Sequence, residues 1–352
     1  MDFGLNFSPC LSPSQRSAEQ HFREILHLTS LCDELGFTHV RQVEHYFEPY
    51  GGYSPSPMVF LSAASQVSKK IRLVTGAILP AFNHPLKMAG EIAMLDAISG
   101  GRLDVGFARA FLPHEFERFG VSLDESRRRF DEGVAQIKLL LEQENVSSAG
   151  DFHSFKNVTS LPRPTQHPHP PFWIAAISTP QSFEDAGRNG YSLMAVPRLA
   201  SKMFELTGIY RDAWRSAGHP GKGRVMMSFH MCCAPRRDEA IAAIRGTIDQ
   251  HHQALAKAAS GWLSGASTKD YPGYDKLIEQ LQAVTFDDDM EKGTAWVGTA
   301  DDIAEMIADY NQKTGGFELT SLHVNPATTP VEVAERSMRL FARDVIPQVM
   351  KL

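Results

Sequence analysis

The chain has 352 residues, 43% of them hydrophobic and 22% charged, which is ample for a large core and far from a disordered composition. The formal net charge is −6 and no dense Lys/Arg run occurs, so a nucleic-acid binder is not expected. No apolar stretch approaches the ~20 residues of a membrane span, and MDFGLNFSPC at the start lacks the basic region and hydrophobic core of a signal peptide; a cytoplasmic protein with no membrane association is the expectation.

Taken in order, the elements alternate. Residues 2–7 (DFGLNF) read as a short strand. A helix follows from Ser17, with Phe22, Ile25, Leu28, Cys32 and Leu35 three or four apart, and Gly36 ends it. FTHVRQV (37–43) is a second strand, and Pro55 and Pro57 open a helix through Leu61, Ala64 and Val67. IRLVTGAIL (71–79) has the near-continuous apolar run of a strand buried on both faces. A helix over 86–98 stops at Ser99-Gly100-Gly101, and RLDVGFA (102–108) is the fourth strand. Phe130, Val134, Ile137 and Leu141 mark the fourth helix. LPRPTQHPHPP (161–171) is too rich in proline for a helix or central strand and reads as a surface crossing. Beyond it come FWIAAI (172–177), a helix to about Arg188, YSLMAV (191–196), a helix from about Ala200, RVMMSFHMCC (224–233) and a helix across 237–258. ELTSLHV (318–324) is the last strand, before a terminal helix from Val331.

Eight strands, each followed by a helix, imply parallel pairing through right-handed crossovers. One domain spanning 1–352 then fits a (β/α)8 TIM barrel with insertions better than a doubly wound sheet, and no G-x-G-x-x-G turn follows the first strand. Residues 260–294 break the alternation, mixing Gly, Ser, Asp and Pro around one short helical patch. A connection of that length serves as a functional lid or mobile loop, or else is a peripheral insertion.

In such a barrel the chemistry sits at the C-terminal ends of the strands. Glu44-His45-Tyr46-Phe47 follows strand two, the Thr75-Gly76-Ala77 region leading to Pro80 comes at the end of strand three, Arg109 follows strand four, Ser178-Thr179-Pro180-Gln181-Ser182 follows strand five and Pro197 follows strand six. Arg109 with Ser178, Thr179 and Ser182 reads as a phosphate site: a guanidinium fork, hydroxyl donors and the free N–H groups of a helix start. The same hydroxyls also suit a plain helix cap and the same arginine a structural ion pair, so the reading rests on their joint placement. His45 suits a general base near neutral pH, oriented by the adjacent carboxylate of Glu44. Apolar walls around strands three and six (Ala77, Met194, Ala195) are expected to exclude water. No metal site is expected. His167 and His169 lack ligand-spaced partners, His251-His252 has no i+4 partner and reads as solvated, and Cys10, Cys32, Cys232 and Cys233 contain no C-x-x-C pair. Cys232-Cys233, in an apolar strand, reads as a buried structural pair.

Several segments together resemble the bacterial luciferase-like monooxygenases, and within them the luciferase α chain. They are FGLNF at the start, GF-x4-Q-VEHYF (36–47), TGAILPAFNHPLKMA (75–89), MLDAISGGRLDVGFARAF (94–111), the FG-x5-SR spacing at 119–127 and SMRLFARDVIPQVMK at the end. Each is weak alone; their order and spacing are specific. The resemblance implies a barrel that binds reduced FMN, reacts it with O2 and oxygenates a small organic substrate through a flavin C4a-peroxide. It implies His45, in the Glu44-His45 pair, as catalytic base, and Thr75-Gly76 as the segment against the flavin ring, often through a non-proline cis peptide. Arg109, Thr179 and Ser182 would hold the FMN phosphate, Phe111 and Ser178 would line the flavin, and 260–294 would be the mobile active-site loop.

Four positions depart from the α-chain pattern: Ala108 replaces a reactive cysteine, Leu112 a tyrosine, Tyr46 the second histidine of E-H-H-F and Pro197 a tryptophan. They imply a reshaped substrate pocket. With no nicotinamide fingerprint in the chain, a separate flavin reductase is the implied partner, and the resemblance suggests pairing as a homodimer, or a heterodimer, through the helices after strands two and three. Two alternatives share the resemblance: an F420-dependent oxidoreductase, and a non-catalytic flavin-binding or partner subunit.

Overall fold

Short apolar strands that cannot satisfy their own backbone must pair, and here they pair in a ring. The computed structural model describes residues 1–266 and 269–350. Its main sheet contains β1 (Asp2–Phe7), β2 (His39–Gln42), β3 (Arg72–Ile78), β4 (Leu103–Phe107), β5 (Phe172–Ala176), β6 (Ser192–Ala195), β7 (Val225–Cys233) and β8 (Leu319–His323). Each strand runs parallel to the next. β8 returns to β1 with Asp2 opposite Leu319, which closes the barrel. The expected (β/α)8 barrel therefore forms, from the eight apolar runs visible in the sequence.

Local chemistry sets the helices between them. Ser17 caps Ala18–Glu34 by accepting a hydrogen bond from the Gln20 N–H, and that helix buries Ile25, Leu28, Leu31 and Cys32 against the strands. Proline at the first turn starts Pro57–Val67, Pro85–Ile98 and Pro180–Arg188. Inside the barrel, Val74, Trp173, Met194, Met226 and Leu319 form a separate apolar plug.

Sequence periodicity did not disclose the smaller elements. Ala295–Gly298 is a ninth parallel strand on β7, pairing along His230–Cys233 beyond the reach of β6. Four residues are too few to register a period. The helix Ala300–Lys313 follows from a Thr299/Asp302 capping box, and an antiparallel hairpin joins Val146–Ala149 to Ser154–Val158. Residues 260–294 are also more ordered in element content than a long irregular connection: they carry the helices Tyr274–Gln282 and Phe286–Lys292. Trp262, Tyr271, Tyr274 and Ile278 pack there on Leu112 and Ala258, which removes the reading of a peripheral insertion. Residues 267–268 of that segment, and Lys351 of the C-terminal motif, lie outside the described residues. No helix among the described residues is long and apolar enough to cross a membrane.

The first part of the 94–111 motif, Asp96 and Arg102, acts at the N-terminal face of the barrel. The Arg102 guanidinium donates to the carbonyls of Ser65, Ser68, Ile71 and Ser99 at 2.8–3.2 Å, tying the ends of two helices to the start of β3. Asp96 accepts from the Gln166 backbone N–H at 2.8 Å and from its side chain at 2.7 Å, which anchors the Pro-rich crossing. Arg102→Ala leaves these carbonyls without their charged donor and is expected to cost about 2–3 kcal/mol, seen as a lower urea midpoint at unchanged m. An unaltered midpoint would refute this closing role.

Candidate active site

At the opposite face a cavity of about 730 Å³ opens among the strand ends. Its lining draws on the end of almost every strand, including Asn6 in β1 and Ser8 after it, Val43 after β2, Ile177 after β5, Val196 and Pro197 after β6, and His230 and His323 in β7 and β8. Leu277, Ile278 and Leu281 from 260–294 close one side, so the insertion is a wall of the site. The apolar surface comes from these residues with Phe111, Leu199 and Leu255. Ala77, Met194 and Ala195, expected as walls, are instead buried in the core.

His45 lies beside this cavity, its ring 5.0 Å from that of Tyr50 and 5.8 Å from that of Phe111. Its orienting carboxylate is not Glu44. His45 Nδ1 lies 3.1 Å from Glu115 Oε1, which also accepts the Tyr46 backbone N–H at 2.9 Å. A carboxylate partner places the proton on Nδ1 and leaves the Nε2 lone pair, which no described residue engages, free toward a ligand. Glu115 is fully buried and comes from the helix Pro113–Phe119 in the loop after β4. Pro113 followed two residues later by a carboxylate marks a helix start, and that signal was present in the sequence.

Adjacent side chains on a chain leaving a strand point apart, which is why Glu44 turns away. Its carboxyl accepts from the Tyr46 hydroxyl at 2.5 Å, from the Asn83 side chain and from the Leu79 N–H, both at 3.3 Å. Burial pushes it up to about 8, against the pull of those three donors. Glu44 is thus the hub that joins the loop after β2 to the end of β3.

The β3 end has the expected form: the Gly76–Ala77 peptide is cis and the β3–β4 register shifts between Thr75 and Ile78. The Thr75 hydroxyl is committed to Gly106, donating to its carbonyl at 3.0 Å and accepting its N–H at 2.8 Å. A Cβ at Gly76 would collide with the Arg41 side chain, so a larger residue there requires Arg41 to move. Arg109 and the Ser178–Ser182 run occupy the ends of the neighbouring strands β4 and β5, but no hydrogen bond joins them among the described residues. One Arg109 nitrogen donates to the Asp270 carbonyl at 3.1 Å and the guanidinium lies 4.7 Å over the Tyr271 ring, so the insertion covers it. Thr179 occupies the N-cap of Pro180–Arg188 without a side-chain capping bond, leaving its hydroxyl available to a ligand. Of the predicted flavin residues only Phe111 lines the cavity itself.

The histidine pair assigned to solvent is the clearest correction. His251 and His252 are buried, and with His230 and His323 they line the cavity. Helix periodicity alone could not say which face of Arg237–Ala258 meets the barrel; polar residues inside the apolar strands, Arg41, His230 and His323, were the available signal. Cys232 and Cys233 are free and buried, as expected.

Residues 1–316 match the family of luciferase-like monooxygenases. Among solved structures, the chain is similar to the monooxygenase RslO1 from Streptomyces bottropensis, at 44% identity over 99% of both chains and a TM-score of 0.89. It also resembles in fold the oxygenating constituent of 3,6-diketocamphane monooxygenase from Pseudomonas putida, in complex with FMN, at 19% identity, TM-score 0.82, over 99% of this chain and 98% of that one. Among proteins of known activity, the oxygenase component of a flavin-dependent trigonelline monooxygenase from Acinetobacter baylyi is 32% identical over 65% of this chain and 64% of its own.

The sign of the Glu44 shift gives a stability test. The folded protein retains a proton that the unfolded chain releases near 4.5, so this group's contribution is complete below that pH and is lost as pH rises through about 8. Glu44→Gln does not titrate, so its melting temperature should gain on the wild type across that window. A difference independent of pH would show that Glu44 is not held protonated.

Proposed function

Because the chain belongs to the luciferase-like monooxygenase family, we propose that it is the oxygenase of a two-component system, using reduced FMN from a separate reductase and O2 to oxygenate a small organic molecule. The observation that carries this reading is the buried His45–Glu115 pair at the edge of a large, mainly apolar cavity, beside the Gly76–Ala77 segment. The cavity falls within the ~300–1,000 Å³ range of cofactor and ligand sites. Reduced FMN, when bound, supplies the electrons that activate O2.

The residues around it divide the remaining tasks. Arg109, the Thr179 hydroxyl, Ser182 and the N–H groups at the start of Pro180–Arg188 would hold the phosphate, with the Ser178 backbone and Phe111 against the flavin and Thr75-Gly76 beneath the ring. His45 would take a proton from the substrate on Nε2, while Glu115 holds Nδ1–H and stabilises the imidazolium that forms. Glu44 would support this arrangement through Tyr46 and the β3 end. The 260–294 wall and the apolar lining would keep water from the reacting atoms. Val59, Val67, Met94 and Ile98, exposed on the helices after β2 and β3, support a homodimer through that face.

Two measurements test the reading. In anaerobic titrations the protein should prefer reduced FMN to reduced riboflavin, and Arg109→Ala should erase most of that preference, a loss of about tenfold or more. Preference for reduced F420 would favour a hydride-transfer enzyme, and failure to form an oxygenated product from any substrate would favour a silent subunit. With a substrate found by screening for oxygenated product, His45→Ala should slow oxygenation by about 100-fold or more while flavin affinity holds, and Glu115→Gln should lower turnover in the same way. Full turnover in His45→Ala would eliminate the proton-transfer role.

A further inference from the structure

The floor of the cavity holds a charge with no counterpart. Arg41 enters from β2, where its guanidinium donates to Ser228 Oγ at 2.5 Å and twice to the Gly76 carbonyl at 3.2 and 3.3 Å. Those are neutral acceptors, and among the described residues no carboxylate pairs with it. A cation removed from bulk water is costly unless an anion meets it.

Three imidazoles line the same cavity, and of these His323 feels the Arg41 charge. The His323 ring lies 5.0 Å from His230 and 4.9 Å from His251, and His230 and His251 are 5.3 Å apart. His230 Nδ1, His251 Nδ1 and His323 Nε2 are buried without hydrogen-bond partners, and the three residues bring one nitrogen each within 4.8 Å of one another. Burial and mutual repulsion push all three well down from the usual range, so each ring is neutral and offers one donor and one acceptor. Arg41 contributes to holding His323 down, which places its charge beside the cluster. His252 is a buttress: its Nε2 lies 2.8 Å from Asp289 Oδ2, and Thr294 donates to the other oxygen of that carboxylate at 2.8 Å. The negative charge of Asp289 is thus committed.

We propose that Arg41, His230, His251 and His323 form a receptor for one acidic oxygen group of the substrate, a carboxylate or an ionised enol. One cation with several neutral imidazoles suits a monoanion, whose oxygens would accept from the unpartnered nitrogens in the tautomer that carries N–H there. A divalent metal would need to sit beside the Arg41 charge, which disfavours it. The rings also connect the receptor to the base, because Tyr50 lies 5.5 Å from His251 and 5.0 Å from His45. A substrate anchored at the floor therefore extends toward His45. The inference depends on the monooxygenase reading only in calling the guest a substrate.

Binding of surrogate acids to the flavin-free full-length protein separates the two questions, because it requires no turnover. Calorimetry would compare 2-naphthoate with 2-naphthamide, and 2-hydroxy-1,4-naphthoquinone with its 2-methoxy ether. At least one acid should bind about tenfold or more tightly than its neutral partner, and which one does identifies carboxylate or enol as the group. Arg41→Met and His323→Phe should each abolish that preference, whereas Arg41→Lys should retain part of it; melting curves confirm that the variants fold. Equal binding of acid and neutral probes would overturn the proposal. So would an unaltered preference in folded Arg41→Met, or a loss of reduced-FMN affinity there with the acid preference intact. Tight uptake of one Co²⁺ that is lost in His230→Phe would also overturn it in favour of a metal centre.

Discussion

Closure of the sheet into a ring, with β8 on β1 and with Leu193, Met194 and Ala195 of β6 opposite Val225, Met226 and Met227 of β7, is the constraint from which the rest follows. A parallel strand needs a partner on each side, and a ring of eight provides one without leaving an edge. The ring also brings side chains from distant parts of the chain to one rim. The apolar plug of Val74, Trp173, Met194, Met226 and Leu319 fills the interior below it. The 730 Å³ cavity opens above that plug, at the C-terminal ends of the strands, while Arg102 and Asp96 tie down the opposite face.

Polar groups at the rim are arranged by what the closed interior can satisfy. Two carboxylates stand near His45 and have different tasks. Glu115, fully buried, meets Nδ1 of the imidazole, while Glu44 collects the donors of Tyr46, Leu79 and Asn83 and keeps its proton. The division separates a carboxylate that can stabilise an imidazolium from a hub that joins two loops. The 260–294 insertion completes the rim, since Tyr271 donates to the Ala110 carbonyl at 2.7 Å and Trp262 to the Phe111 carbonyl at 2.8 Å. It is thereby coupled to the residues that follow β4, on which the phosphate reading rests.

Much of this was legible along the chain. The strands IRLVTGAIL and RVMMSFHMCC were recognisable because a strand buried on both faces has few polar interruptions, and the helices because their apolar residues recur at three and four. The segments resembling luciferase-like enzymes located His45, Arg109 and the β3 end. Glu115 escaped notice because it is 70 residues from His45, and a hydrogen bond across that separation leaves no local pattern. His251 and His252 were misplaced for a related reason: with no apolar stripe strong enough to orient Arg237–Ala258, adjacent histidines do not declare which face they occupy. Ala295–Gly298 is shorter than the window that reveals a period.

The sequence by itself determined the order of strands and helices, the barrel they build and the family of chemistry to which the strand ends belong. These are properties of local pattern, of apolar spacing and of turn and cap residues close together in the chain. The tertiary structure alone decided which carboxylate meets His45, that Leu277, Ile278 and Leu281 form a wall, and that Arg41, His230, His251 and His323 line one cavity. Such pairings depend on distances through space, fixed by barrel closure and by the tilt of each strand, and composition and periodicity carry no record of them.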